Sequence, residues 1–157
     1  MKRFWNIPNF PVYSLVTKQG DSFNMNICTY VMSVSMHPKQ FAVAIYHPSQ
    51  SYRNIIESEE AVLQLLHPTQ AKLVNILGKS SGKSKPKCTH ASLRKLLVTW
   101  QGFPVLENAS GFVLLAKKNM IPGNDHDLFL FDAIKTKTLK EEYLSTRILG
   151  EQKIIRI

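Results

Sequence analysis

The run Ile27-Cys28-Thr29-Tyr30-Val31-Met32-Ser33-Val34-Ser35, the turn His37-Pro38-Lys39-Gln40 and the run Phe41-Ala42-Val43-Ala44-Ile45-Tyr46 read together as two paired strands. β-branched and aromatic residues alternate with small ones in both runs, which suits a pleated, half-buried surface. Pro38 and Pro48 punctuate strand ends, because proline has no amide hydrogen to give to a ladder. Upstream, Val12-Tyr13-Ser14-Leu15-Val16-Thr17 is a further strand closed by the turn Gln19-Gly20-Asp21.

Downstream the pattern changes. Ser51 is a candidate cap for a short helix through Asn54-Ile55-Ile56-Glu57-Ser58, which is followed by a strand-like Ala61-Val62-Leu63-Gln64-Leu65-Leu66. Thr69 is a candidate cap for a second helix with Leu73, Ile76 and Leu77 on one face, ended by Gly78. The polar stretch from Gly78 to Lys87 reads as a loop. Two more strands are expected at Phe112–Ala116 and Leu128–Ile134, with a turn at Pro122-Gly123-Asn124-Asp125 between them. The closing Lys153-Ile154-Ile155-Arg156-Ile157 is too apolar for a loose tail. The sum is a mainly β fold: a largely antiparallel barrel carrying a few helices.

Composition bounds the class. The chain has 157 residues, 44% of them hydrophobic and 20% charged, which is globular and argues against a wholly disordered polymer. That length can bury a core without disulfides, and the two cysteines, Cys28 and Cys88, fit a reduced, cytoplasmic setting. No signal-peptide core follows Met1-Lys2-Arg3, and no apolar run approaches the length of a membrane span. The formal charge is +9, and residues 61–106 carry +7 of it: Lys72, Lys79, Lys83, Lys85, Lys87, Arg94 and Lys95 stand there without one acidic residue. Such a segment invites an anionic partner. Nucleic acid is the weaker choice, since few aromatic residues interleave with the lysines to stack on bases. Gly78-Lys79-Ser80-Ser81-Gly82-Lys83-Ser84 has three residues between its glycines where a phosphate-cradling P-loop needs four. Cys88-Thr89-His90 has no second ligand pair at zinc spacing, so no metal is expected, and His37, His47 and His67 each precede proline as loop histidines do.

Three separated segments carry a more specific signal. They are Gly20–Ser33 with its Asn26-x-x-Thr29 pattern, Phe41–Ile55, and Gly123-Asn124-Asp125-His126-Asp127-Leu128-Phe129-Leu130-Phe131. In order and spacing they resemble the flavin reductase-like family. Gly102-Phe103-Pro104-Val105-Leu106-Glu107-Asn108 is similar to the segment that enters that family's later strands, and Ser81-Gly82-Lys83 to its Ser-Gly-basic loop. The resemblance implies an FMN-binding split β-barrel, antiparallel and Greek-key-like, in one domain over residues 1–157. It implies flavin reductase activity, a hydride passing from NADH or NADPH to FMN, and a homodimer with the flavin near the interface. It places Asn26, Ile27, Cys28, Thr29 and Tyr30 along the isoalloxazine, and Ser49, Ser51, Tyr52 and Asn54 at the ribityl chain and phosphate. Lys83 and Lys87 would neutralise that phosphate.

His126 is implied as the catalytic residue near flavin and nicotinamide; paired with Asp125 or Asp127 at a strand start, it would instead be structural. Its turn is one residue longer than the family's Gly-Asp-His. Cys28 stands where relatives often have Met, and Tyr46 and His47 replace small residues beside the ring, where they would narrow the pocket or stack on the flavin. Two other readings use the same features: a non-catalytic FMN electron carrier of this fold, and a basic nucleic-acid-binding module.

Overall fold

The computed structural model describes residues 1–79 and 87–156. β1 (Tyr13–Gln19) turns through Gly20 and Asp21 into β2 (Ser22–Cys28), and Gly20 takes the positive φ of +56° that this two-residue turn demands. β3 (Val31–Met36) and β4 (Lys39–Tyr46) form the next hairpin. Then come α1 (Gln50–Glu57), β5 (Glu60–Leu65), a 3-10 turn over Pro68–Leu73 and α2 (Val74–Lys79). After a 3-10 turn at Lys87–Thr89 follow α3 (Ala91–Arg94), the hairpin β6 (Leu97–Trp100) and β7 (Phe103–Leu106), the long strands β8 (Gly111–Ile121) and β9 (His126–Thr138), and α4 (Thr146–Glu151).

Seven strands make one antiparallel sheet in the order β2-β1-β5-β8-β9-β4-β3. The two edges of this sheet, β2 and β3, are consecutive in sequence and joined by Thr29 and Tyr30 alone. The sheet must therefore curl until its edges meet, which gives a barrel with an unpaired seam. Register shifts between Leu114 and Leu115 and between Lys117 and Asn119 in β8, and at Ser33–Ser35 in β3, supply the local twist that curling needs.

Side-chain alternation divides the apolar residues between two cores. Leu15, Val43, Ile45, Ala61, Leu63, Leu115, Phe129 and Phe131 fill the barrel, and Ile55 of α1 packs with them. Their neighbours Val16, Met25, Val62, Phe112 and Leu114 face outward, under Val74 and Leu77 of α2, Leu93 of α3, Phe103 and Val105 of β7 and Leu149 of α4. β1 and β5 are thus buried on both faces, the mark of central strands. Ile154 and Ile155 pack on the outer core, in keeping with the apolar C-terminal sequence. Among the described residues no helix is long and apolar enough to cross a membrane.

Local differences from the sequence reading have physical causes. The expected strand Ile27–Ser35 is two strands, because the chain crosses the seam at Thr29–Tyr30. Its first half begins at Ser22, where polar residues alternate with apolar ones. Ser49, rather than Ser51, caps α1: its side chain accepts from the Tyr52 amide, while Ser51 is fully buried. His67, rather than Thr69, caps the 3-10 turn that precedes α2, with Gln70 completing a capping box. Gly78 lies inside α2, and a Cβ added there would come within 3.4 Å of Ile27. Both late strands are longer than expected: each continues past its buried half into an exposed end, Lys118–Ile121 in β8 and Ile134–Thr138 in β9, that pairs with the buried half of the other.

Candidate functional site

The seam opens into a groove made of two adjoining cavities that share Asn26, Ile27 and Tyr46. One, of about 150 Å³, is lined by Leu15, residues 26–30, residues 44–46 and His126. The other, of about 210 Å³, lies between β2, the start of α1 and the end of α2; Asn24, Ser49, Gln50, Ser51, Gly78 and Lys87 contribute to it. β2 is a sheet edge, so alternate backbone N–H and C=O groups along it point toward the seam with no strand to pair with.

Two polar atoms at this wall stand out. Asn24 and Asn26 are two apart on β2 and so share a face. The Oδ1 of each is buried with no hydrogen-bond partner among the described residues. Asn24 also donates from Nδ2 to Ser51 Oγ at 3.0 Å, which fastens β2 to the first turn of α1. A buried amide oxygen without a partner is destabilising unless something supplies a donor.

Lys87 lies at the same end, only 7% exposed, and its ammonium donates to the Leu77 carbonyl. Burial pulls its ammonium below the ordinary lysine value, an effect partly offset by neighbouring Cys88. Ser49 accepts from the Tyr52 amide at 3.1 Å and donates to the Tyr46 carbonyl at 2.7 Å, so the first turn of α1 points into this cavity with its cap in place. A cation and a helix N-terminus together make that end electropositive.

The other end is aromatic. The His126 ring sits 5.1 Å from the Tyr46 ring and 5.5 Å from the Tyr30 ring, and both tyrosines are exposed. Nδ1 of His126 lies 2.8 Å from Asp125 Oδ1, and this bond holds the Asp125 carboxyl below its usual range. His126 therefore combines both arrangements open to it in the sequence: it is paired with Asp125 and it lines the groove. Cys28 keeps part of its surface exposed beside the aromatic end, yet burial pushes its thiol up to about 12. It stands there as a protonated, apolar neighbour.

Ten of the residues expected from sequence line this groove: Asn26, Ile27, Cys28, Thr29, Tyr30, Tyr46, Ser49, Ser51, Lys87 and His126. His47, Tyr52 and Asn54 do not line either cavity, and their side chains are engaged within the protein. Asn54 donates to Thr17 Oγ1 at 3.1 Å and accepts from Gln50 at 2.7 Å. His47 and Tyr52 both bind Asp127. His47 is thus tied to a carboxylate rather than standing as a simple loop histidine. Lys83 lies outside the described residues. Sequence reasoning had no role for Asn24, although its spacing from Asn26 places both on one strand face. It named Asp127 only as a partner for His126, whereas strand alternation turns the two side chains to opposite faces.

A larger cavity of about 300 Å³, mostly apolar and lined by Trp5, Phe10, Val74 and Leu149 among others, adjoins Ile27, Thr29 and Tyr30. Asn6, Thr146 and Arg156 add polar groups to that lining.

Comparison with known proteins agrees with this architecture. The family model described as "Flavin reductase like domain" matches residues 8–147. No curated protein matches the sequence. Among solved structures, the FMN-binding protein from Thermus thermophilus with bound p-hydroxybenzaldehyde superposes with a TM-score of 0.79 at 18% identity, over 90% of this chain and 78% of that one. The NADH:FAD oxidoreductase from Streptomyces globisporus in complex with NAD and FAD fragments gives 0.77 at 15% identity, over 87% and 79%. Flavoredoxin from Methanosarcina acetivorans gives 0.76 at 16% identity, over 92% and 77%. At these identities the likeness is one of fold.

Proposed function

We propose, from the premise that this chain belongs to the flavin reductase-like domain family, that it binds FMN along the seam groove and passes a hydride to it from NADH or NADPH. The observation that carries this reading is the pairing of a slot beside an open strand edge with a cavity holding a buried lysine. FMN has a flat ring with a polar rim and an anionic phosphate, and the groove has a fitting wall for each.

FMN, when bound, would supply the redox centre that takes up the hydride. The chain's own residues do the holding. The unpaired backbone groups of residues 26–30 would meet the polar rim of the ring, and Asn24 and Asn26 would find donors for their orphaned oxygens. Lys87, Ser49 and the first turn of α1 would balance the phosphate, with Lys83 as a further cation from the basic segment. Tyr46 bounds the ring slot. Because Asp125 holds a proton on Nδ1 of His126, Nε2 is the ring atom able to accept or give a proton as charge changes on the bound ligand. On this reading the nicotinamide nucleotide would stack directly over the flavin. The working form on this reading is a single-domain cytoplasmic protein, paired as a homodimer with the groove near the interface.

Tyr30, Tyr46 and His126 cluster at one end of the groove, and that crowding favours a second reading, an FMN electron carrier closed to the nicotinamide. Anaerobic mixing of the FMN-loaded protein with NADH and with NADPH separates the two. Bleaching of the bound-flavin absorbance supports the reductase. Retained colour with both nucleotides leaves the carrier, and failure to bind FMN at all removes both.

A further inference from the structure

Asp127 follows His126 in β9, but its carboxylate turns to the opposite face, beneath α1. It is 5% exposed and accepts three hydrogen bonds from three different segments. His47 Nε2, in the turn after β4, lies 2.7 Å from Oδ1. The Tyr52 hydroxyl, in the first turn of α1, donates to Oδ2 at 2.6 Å. The Gly123 amide, in the β8–β9 turn, donates to Oδ1 at 3.0 Å. The carboxyl, favoured as an anion by Tyr52 and His47 above all, is held at about 2. As an ionised carboxylate it only accepts, so His47 carries its proton on Nε2.

These bonds converge from the two walls of the groove. Gly123 belongs to the turn that carries Asp125 and His126, and the His47 amide donates to the Asp125 carbonyl at 3.0 Å. Tyr52 belongs to the helical turn capped by Ser49, which faces Lys87 across the other cavity. The His47 and Tyr52 rings also touch edge to face, 5.0 Å apart. We propose that Asp127 is a positioning residue that locks the His126 turn and the first turn of α1 into one unit, fixing the spacing between the aromatic and electropositive ends of the groove. A ligand gripped at both ends would then be held at one distance from His126. The consequence for flavin chemistry rests on the function proposed above; the mechanical coupling does not.

The experiment is hydrogen exchange on Asp127→Ala without flavin, followed by flavin reduction with the same protein. The variant is expected to raise exchange together at Gly123, His47 and Tyr52, by about tenfold or more, with Val62 and Leu63 in the core unchanged. Exchange that rises at Gly123 alone, or at none of the three, would overturn the coupling. With FMN loaded, the rate of reduction at saturating nucleotide should fall ~10- to 100-fold, the loss expected from an ångström-scale misplacement, with little change in nucleotide KM. Asp127→Asn, which keeps an oxygen for the Gly123 amide, should recover part of both effects. If Asp127→Asn and Asp127→Ala both match the wild type, positioning is wrong. If the wild type binds no flavin, the functional reading fails and the exchange result still decides the coupling.

Discussion

Lys87 places a positive charge where little water reaches it, and burial lowers its pKa accordingly. A buried cation of this kind is destabilising until an anion arrives, and the partner then gains a charge-assisted hydrogen bond of about 1.5–3 kcal/mol. Lys87→Met should therefore weaken FMN by ~10- to 100-fold while changing riboflavin, which has no phosphate, far less. Flavin-fluorescence titrations with the two ligands check this; equal losses would place the lysine away from the phosphate. Charge alone made Lys87 one of seven cations in residues 61–106, and only the family resemblance set it beside Lys83 at the phosphate. Nothing local marks it as the buried one, because its burial depends on α2 and β2 closing over it from elsewhere in the chain. Asn26 was legible through its spacing to Thr29. Asp127 was not, since its three donors come from positions 47, 52 and 123, and only the fold brings them to one carboxylate.

The turn between β8 and β9 shows the same dependence one level up. Pro122-Gly123-Asn124-Asp125 reads as a turn from composition alone, and the structure has one there. What composition does not show is why the glycine is needed. A Cβ on Gly123 would overlap the His126 carbonyl oxygen, which is backbone and cannot swing aside. Gly123→Ala must open the turn, loosen the amide bond to Asp127 and move His126. It should lower stability by ~1 kcal/mol or more, beyond any gain from stiffening the unfolded chain. Thermal melts measure the loss, and the expected companion is a changed visible circular dichroism of bound flavin. A variant that melts like the wild type would show that the turn is looser than its contacts indicate. Strand identities were largely readable because β1, β4 and β5 are short runs rich in β-branched and apolar residues, and the runs holding β1 and β4 end in turn signals. Strand ends were not: the break at Thr29–Tyr30 is set by the crossing from one sheet edge to the other, a property of the closed sheet rather than of those two residues.

For the whole molecule the open question is what covers β3. It is a sheet edge, and Met32, Val34 and Met36 are 62%, 42% and 68% exposed, with Tyr30 beside them at 61%. An apolar edge strand left bare invites uncontrolled pairing, and few charges stand on this one to prevent it. A second copy of the chain would bury these side chains, and Tyr30, which lines the groove, would carry the contact into the site. The positive segment is no obstacle, since it belongs to α2, α3 and their connections rather than to β3. The double variant Met32→Glu/Met36→Glu places like charges on each copy, so they face one another if β3 pairs across a twofold axis. Light scattering after size exclusion should then show a dimer for the wild type and a monomer for the variant. FMN affinity should fall alongside, because one wall of the aromatic end loses its support. A wild-type monomer, or a variant that stays dimeric, would show that β3 is not the contact; a monomeric variant with wild-type FMN affinity would show that each chain builds its groove alone.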